Sequence, residues 1–306
     1  MKKFIALLIV AIFMVSCSEQ QLYTEFSNEN VVPLNEQKIS ESGMLNSYLE
    51  KARWGDGSAF LKLAECYHEG IGVEPDFLGT LTMLMMADQY GVTNSNIEEY
   101  LMSLPDTDNT KMVFEAIAKL DRNNILPSDS IVEILIANGS ADGYAIKGVV
   151  QVERGDTIGG QQSIQTGAKM GSSFAELLLC AFPSQETGLG KFLNIDMLKS
   201  MSDKSPLANK LLGDIYSGYD YGDTSRINES LAAMYYKKAD EQGCLGKRPA
   251  RWLINYYDRV GIQIDDKEME RLQILSGHNN APDEYIPDSV YIDPAYLEMD
   301  TVIVSE

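Results

Sequence analysis

Residues 65 to 69, Glu-Cys-Tyr-His-Glu, place four side chains that could bind a metal or act in catalysis within five positions. Carboxylates, thiols and imidazoles are common zinc ligands and common acids and bases. The stretch has helical spacing, however, and residues two apart on a helix point about 200° apart, so Cys66 and His68 cannot share a face. Glu65 and His68 can, but the only other histidine is His278, beyond the last repeat. The sequence therefore favours a solvated helix face and a turn over a metal or catalytic site.

Patterns typical of other active sites do not occur in the sequence. It contains no Gly-x-Ser-x-Gly, no glycine-rich phosphate loop, no His-Glu-x-x-His and no paired cysteines at zinc spacing. A serine or cysteine nucleophile would have almost no histidine to serve as its base. Its 45 acidic residues make carboxylate pairs too common for one to be chosen. We expect no catalytic residues, cofactor or metal.

One loop, residues 217 to 229, has the chemistry of a contact surface. Tyr219 and Tyr221 lie among glycines and aspartates, and exposed tyrosines are good contact residues for protein or sugar. The aspartates suggest a calcium loop, but the glutamate that ends such a loop would fall at Leu231. The sequence favours a solvated loop whose tyrosines lie on the helix beneath, with binding as the alternative.

The chain begins with a basic start, Lys2 and Lys3, followed by an apolar run over residues 4 to 15 and then by Ser16 and Cys17. This pattern predicts a secretory signal, and the run is shorter than the roughly 20 residues of a spanning helix. Ending on Ser-Cys, it resembles a bacterial lipoprotein signal, which implies that Cys17 is lipidated. An ordinary secretory signal is the alternative. We expect an exported protein anchored in the cell envelope, at the outer membrane, with its leaflet left open.

The chain is strongly acidic. Cleavage after residue 16 would remove Lys2 and Lys3, changing the net charge from −20 to −22. Such a charge argues against nucleic acid and anionic membrane surfaces as partners. Three further cysteines, Cys66, Cys180 and Cys244, are far apart in sequence. Either each is a small buried hydrophobic residue, or two of them form a disulfide and the third remains a free thiol.

An internal repeat relates residues 59–91 to residues 208–243. Fainter copies occur at residues 137–148, 155–171, 171–180 and 250–266. The matching pairs are Ala59 with Ala208, Leu63 with Leu212, Ala64 with Gly213, Tyr67 with Tyr216, Asp76 with Asn228, Leu84 with Tyr236, Ala87 with Ala239 and Gly91 with Gly243.

Each copy is predicted to form a helical hairpin. Apolar residues recur at helical spacing, and Gly70 and Gly72 provide the backbone angles that a tight reversal needs. Asp76 is suited to cap the second helix, which is worth about 1 kcal/mol, and Gly91 ends it. Since one hairpin cannot bury its own apolar face, the copies must stack, and stacked hairpins form an extended concave surface suited to a protein partner.

The repeat resembles the Sel-one-like family of tetratricopeptide-type hairpins. The residues that carry the resemblance are Ala59, Leu63, Tyr67, Gly70, Gly72, Val73, Asp76, Ala87 and Gly91 in the first copy, and Leu212, Gly213, Tyr216, Tyr236, Ala239 and Gly243 in the last. The resemblance implies an all-α right-handed solenoid of about six hairpins that acts as a non-enzymatic scaffold for protein–protein interaction.

The predicted domain order is a lipoprotein signal with the lipidated cysteine (1–17), a polar linker (18–43), the repeat solenoid (44–277) and an acidic tail (278–306).

Two other functions stay open. One is binding of glycan or peptidoglycan through Tyr219, Tyr221 and Trp252. The other is a hydrolase, as claimed for cysteine-rich relatives, although those carry paired cysteines in each repeat and this chain does not.

Overall fold

The computed structural model describes residues 41–123, 129–181, 194–218 and 226–277. Within these ranges the regular structure consists of fourteen α-helices and no strand. The helices are α1 (Glu41–Arg53), α2 (Gly57–Glu69), α3 (Phe77–Gln89), α4 (Asn94–Ser103), α5 (Asn109–Asn123), α6 (Asp129–Ala137), α7 (Ala141–Glu153), α8 (Thr157–Lys169), α9 (Ser173–Ala181), α10 (Ile195–Ser200), α11 (Pro206–Ser217), α12 (Glu229–Glu241), α13 (Lys247–Val260) and α14 (Asp266–Leu275).

The helices pack as a series of hairpins. Six consecutive pairs contact each other in the described part of the chain: α2/α3, α5/α6, α7/α8, α9/α10, α11/α12 and α13/α14. From α5 onward, the second helix of each pair also packs on the first helix of the next pair. This serial stacking confirms the predicted all-α solenoid of helical hairpins.

The second helices of five hairpins begin with the same type of cap. A side-chain oxygen of aspartate or asparagine accepts a hydrogen bond from the backbone amide three residues ahead, which satisfies one of the amides that a helix start leaves without a partner. The capping residues are Asp76, Asp156, Asn194, Asn228 and Asp265. In the two full copies the backbone amide of the capping residue also donates a hydrogen bond to the backbone carbonyl oxygen of the repeat tyrosine, from Asp76 to Tyr67 and from Asn228 to Tyr216, both at 2.8 Å.

The turn of the first hairpin depends on its two glycines. Gly70 and Gly72 have φ angles of 76° and 73°, in the left-handed region that favours glycine. The amide of Gly70 bonds to the carbonyl oxygen of Cys66, and a side chain at position 70 would lie 2.8 Å from Pro75. The chain can therefore reverse here without displacing a neighbour.

The two full copies fill equivalent space with different residue pairs. In the last copy the ring of Tyr236 lies against Gly213, where an added Cβ would be 2.3 Å from the ring. In the first copy the matching positions hold Leu84 and Ala64, both buried. The last copy therefore pairs glycine with the large ring of tyrosine, whereas the first copy pairs the slightly larger alanine with the smaller leucine. The two combinations fill the space to a similar density.

Helix α3 is buried along most of its length and contacts helices beyond its own hairpin. Every residue from position 77 to 84 is buried. The ring of Phe77 lies 5.1 Å from that of Phe114 in α5 and 5.3 Å from that of Phe174 in α9, and α3 also contacts α11. Helix α3 therefore packs against helices of three other hairpins.

The first and last hairpins also meet. Helix α1 contacts α12, and Arg53 of α1 donates hydrogen bonds to Asp240 of α12 at 2.8 Å. The hydroxyl of Tyr90, which follows α3, donates to the carbonyl oxygen of Leu275 at 3.1 Å. The stack is closed by contacts between residues nearly 190 positions apart.

Among the described helices, none is both long and apolar enough to cross a bilayer.

Candidate functional site

The cluster at residues 65 to 69 divides between two sides of α2. Cys66 is buried in the core, whereas Glu69 is exposed. We expected His68 to lie on a solvated face, but its side chain is only 14% exposed. Its Nε2 lies 3.1 Å from Oδ2 of Asp108. The ring of Tyr100 stands perpendicular to the imidazole at 6.4 Å. The cluster therefore joins α2 to α4 and to the start of α5.

Two polar atoms of this junction have no hydrogen-bond partner among the described residues, namely Nδ1 of His68 and the hydroxyl of Tyr100. Burial raises the pKa of Tyr100 well above its ordinary value, and the nearby carboxylates of Glu65 and Glu69 add to this effect. The described residues contain no group of three His, Cys, Asp or Glu that could hold a metal.

A second polar cluster joins the starts of α3, α7 and α9. Ser173 donates a hydrogen bond to Asp76, and Ser172 donates to Asp142 at 2.5 Å. Burial is the main cause that raises the pKa of Asp142 to about 6, and the charge of Asp76 raises it further. Perturbed carboxylates occur at active sites, but structural networks perturb them too. Here Asp76 also caps α3 through the amide of Gly79, so the cluster orders helix termini.

A third polar cluster lies between α11 and α12. Lys210 and Asp214 form a buried ion pair at 2.9 Å, and the hydroxyl of Tyr236 donates to Asp214 at 2.8 Å. Burial and the neighbouring carboxylate raise the pKa of Tyr236 far above its ordinary value. The tyrosine therefore stays protonated and serves as a fixed donor between two helices of one repeat.

Among the described helices, α8 has an outer side without acidic residues. From residue 157 to residue 170 there is no aspartate or glutamate. Six exposed residues at helical spacing form what we call the acid-free α8 face: Ile158, Gln162, Gln165, Thr166, Lys169 and Met170. The side chains of Ile158 and Met170 are 66% and 48% exposed, and Lys169 is the one charge on this face. Depletion of charge and enrichment in methionine are typical of protein interfaces.

A glycine crossing with α7 holds this face in place. A Cβ at Gly148 would lie 2.5 Å from the carbonyl oxygen of Gly160, and a Cβ at Gly160 would lie 2.7 Å from that of Gly148. Gly160, Ile164 and Gly167 form the buried side of α8. Because the backbones are this close, α8 rests on a rigid support and presents its opposite side to solvent. The repeat alignment identified α8 as a helix but missed its face, which the long acid-free run could have revealed.

The residues singled out from the sequence take the following places. The buried ones are Ala59, Leu63, Ala87, Leu212, Gly213, Tyr216, Tyr236, Ala239 and Gly243; the half-buried ones are Tyr67, Gly70, Gly72, Val73 and Asp76; Gly91 is exposed. Cys17, Tyr219 and Tyr221 lie outside the described residues. Trp252 packs between Tyr236 and Tyr256, with ring centroids 5.3 and 5.2 Å away, so its ring belongs to the helix packing.

No protein-family model matches the chain, and no curated protein matches it in sequence. Among solved structures, it is similar to a protective antigen of uropathogenic Escherichia coli strains that displays an SLR fold, with 17% identity over 79% of this chain and 50% of that chain and a TM-score of 0.34. It is also similar to a Sel1 repeat protein from Oxalobacter formigenes, with 15% identity over 78% of this chain and 100% of that chain and a TM-score of 0.37. The chain thus spans half the length of the first of these. The helical hairpins predicted from the sequence are confirmed by the six helix pairs described above.

Proposed function

We propose that this protein is a non-enzymatic scaffold for protein–protein interaction, held at a bacterial envelope membrane by lipid on Cys17. The observation that carries the proposal is the acid-free α8 face. In a chain of net charge −20, it presents amide and apolar side chains on a helix whose backbone is fixed from behind. The partner is a protein with an apolar surface that also offers donors and acceptors to glutamine.

Burial of apolar surface supplies the driving force for such a contact. Each of Ile158 and Met170 would gain about 1 to 2 kcal/mol on full burial, since both are roughly half to two-thirds exposed. Gln162, Gln165 and Thr166 can hydrogen-bond at the interface without the desolvation cost of a charge. The surrounding acids steer the approach toward neutral or basic surfaces.

The polar clusters support a scaffold over an enzyme. Each of the three clusters described above connects helices: α2 with α4 and α5, α3 with α7 and α9, and α11 with α12. Most of their side chains are engaged as caps, ion pairs and fixed donors, while Nδ1 of His68 and the hydroxyl of Tyr100 have no partner among the described residues. They stabilise the stack on which the α8 face is displayed.

Anchoring places this stack at a distance from the bilayer. Acylation at Cys17 would anchor the chain, since each buried methylene contributes about 0.8 kcal/mol. The 23 residues from 18 to 40, which precede α1, could reach about 80 Å if extended. A scaffold on such a tether can meet partners on the same membrane or beyond it. The outer membrane is the site we propose, with the leaflet left to experiment.

The interaction test compares recharged variants in the native envelope. Chemical cross-linking in membranes should recover one partner in near-stoichiometric amount with the wild type, and Ile158→Glu/Met170→Glu should reduce that recovery at least about tenfold. Met102→Glu is the matched control, because Met102 is 78% exposed on α4 and far from α8 in sequence. Equal recovery with both variants, or no stoichiometric partner at all, contradicts the proposal.

Anchoring has a separate test. Cys17→Ser should move the protein from the membrane fraction to the soluble fraction while its helical circular dichroism stays unchanged. Protease treatment of whole cells then reports whether the anchored protein faces outward. A Cys17→Ser variant that remains in the membrane fraction would contradict lipid anchoring.

A further inference from the structure

A regular row of side chains runs along the middle of the acid-free α8 face. Ile158, Gln162, Thr166 and Met170 follow one another at intervals of four residues, and all four are exposed. Successive members of such a row turn by about 40° around the helix, so the row crosses the exposed side obliquely. Its two ends are apolar and its middle is polar without charge. A row with this symmetry of chemistry can match a reversed copy of itself.

The same position in another copy of the repeat is buried. Asp156, which caps α8, matches Asp76, which caps α3, so the row corresponds to positions eighty residues earlier. Leu78, Thr82 and Met86 occupy these positions and are at most 4% exposed. Helix α3 packs against α9 and α11 in addition to the helix of its own hairpin. This side of a second helix therefore lies within helical packing in one copy, which indicates that a helix fits against it.

Charge restricts which helix can lie on this face. The acids around it favour a neutral or basic surface, and two copies of a chain of net charge −20 repel each other in general. The α8 face is itself such a neutral-to-basic surface, since it has no carboxylate and its one charge, Lys169, is positive. Two copies can therefore meet here without bringing carboxylates together.

We propose that the partner of the α8 face is the α8 face of a second copy of this chain, with the two helices antiparallel across a two-fold axis. This inference rests on the proposed function, because it names the partner of the same surface. An axis midway between residues 162 and 166 brings Ile158 of one copy beside Met170 of the other. It also brings Gln162 beside Thr166. Rows of residues four apart interdigitate when two helices cross at about 50°, the commonest class of helix packing.

The dimer should be weak in dilute solution and more populated on a membrane. One helix face is smaller than the roughly 800 Å² per partner of a standard interface, so we expect a dissociation constant on the order of 10 to 100 μM. Lipid anchors would confine both copies to one bilayer and raise their effective concentration. Because the remaining surfaces of the two copies repel each other, added salt should strengthen the dimer.

Sedimentation of the Cys17→Ser chain tests this directly. From about 5 μM to about 0.5 mM protein, it should show a reversible monomer–dimer equilibrium that shifts toward the dimer at higher salt. Ile158→Lys alone and Met170→Glu alone should each weaken the dimer at least about tenfold, because each places a charge in an apolar contact. Met102→Glu, at a residue that is 78% exposed on α4, should leave it unchanged.

Combining the two substitutions tests the antiparallel arrangement. The Ile158→Lys/Met170→Glu chain should dimerise more tightly than either single variant, because each new lysine then lies beside the new glutamate of the other copy. The two positions are about 18 Å apart along one helix, so they cannot pair within a copy. Helical circular dichroism, unchanged in all variants, is the control for folding.

Two results of the sedimentation measurement would overturn the inference. They are a wild-type chain that stays monomeric up to 0.5 mM, and a combined variant that dimerises no better than the single ones. Cross-linking in the native envelope separates this inference from the proposed function. Recovery of only a different protein, lost in Ile158→Glu/Met170→Glu, would support the scaffold and contradict self-association.

Discussion

The guanidinium of Arg271 in α14 lies against the carboxylate of Asp240 in α12 in a bidentate contact, with Nη1–Oδ1 at 2.9 Å and Nη2–Oδ2 at 2.7 Å. Both side chains are more than nine-tenths buried. Arg271 also donates to the carbonyl oxygen of Arg53 in α1 and to Glu268, and Arg53 donates to Asp240. This contact joins the last hairpin to the start of the folded chain.

Removing one member of this contact should strongly destabilise the fold. Arg271→Ala leaves the carboxylate of Asp240 buried with only Arg53 beside it, and losses of this type reach about 3 to 5 kcal/mol. The free energy of unfolding from urea titration is the measurement. Arg259→Ala is the control, because its pair with Glu229 is 2.6 Å long but about half exposed, and such pairs contribute at most about 1 kcal/mol. Equal losses in the two variants would mean that burial does not set the strength of the contact.

The glycine crossing of α7 and α8 should tolerate no side chain. Gly160→Ala would place a Cβ 2.4 Å from a methyl group of Val152 and 2.7 Å from the backbone oxygen of Gly148. Overpacking of this kind costs about 1 to 3 kcal/mol, more than the helix-propensity gain of alanine over glycine. Urea unfolding should show a net loss for Gly160→Ala and a small change for Thr166→Ala on the exposed side of the same helix. Stabilisation by Gly160→Ala would mean that the helices can separate at no cost.

The hairpins could be predicted from the sequence because their determinants are local. Asp76 and Asn228 lie at the same distance from the repeat tyrosine once the longer loop is allowed for, and each caps a helix in the structure. Helical spacing, turn glycines and caps all act within a few residues. These local signals identify each helical pair even when the arrangement of the neighbouring hairpins is unknown.

The closure of the stack could not be predicted, because it depends on contacts between distant residues. Arg53 and Asp240 are 187 positions apart, and Asp76 and Ser173 are 97 apart. Periodicity carries no information on how far successive hairpins rotate, so the packing of α3 against three other hairpins could not be predicted. His68 was assigned to solvent for the same reason, since Asp108 lies 40 residues away. The α8 face follows from composition along one helix and was within reach of the sequence.

The contribution of Asp142 to stability should rise as the pH falls through the range in which this carboxyl titrates. The pKa of this carboxyl is raised from the ordinary 3.8 to about 6 in the folded chain, mainly by burial. A folded pKa above the unfolded one means that the folded state binds the proton more tightly, so the penalty is complete above about pH 6 and is relieved toward pH 4. At about 1.4 kcal/mol per pH unit, the penalty at neutral pH is about 3 kcal/mol.

Asp142→Asn isolates this effect. The variant should be about 2 to 3 kcal/mol more stable than the wild type at pH 7.5 and near wild-type stability at pH 4, because the amide can still accept the hydrogen bond from Ser172. Asp203→Asn is the control, since the side chain of Asp203 is 97% exposed. Urea unfolding across this pH range is the measurement, and an Asp142→Asn variant less stable than wild type at pH 7.5 would contradict the assignment.

The three cysteines of the repeats should be unreactive in the folded protein and should all react once it unfolds. Cys66, Cys180 and Cys244 are each at most 1% exposed and are not paired with one another. Burial raises the pKa of Cys180 and of Cys244 to about 12, so neither thiol is ionised at about pH 8. Because both are buried, a reagent cannot reach them either. Titration of the Cys17→Ser chain with an aromatic disulfide reagent should find no fast-reacting thiol under native conditions and all three in concentrated guanidinium chloride. A single thiol after denaturation would reveal a disulfide between two of them, and fast reaction in the native state would mean that the hairpin interface opens.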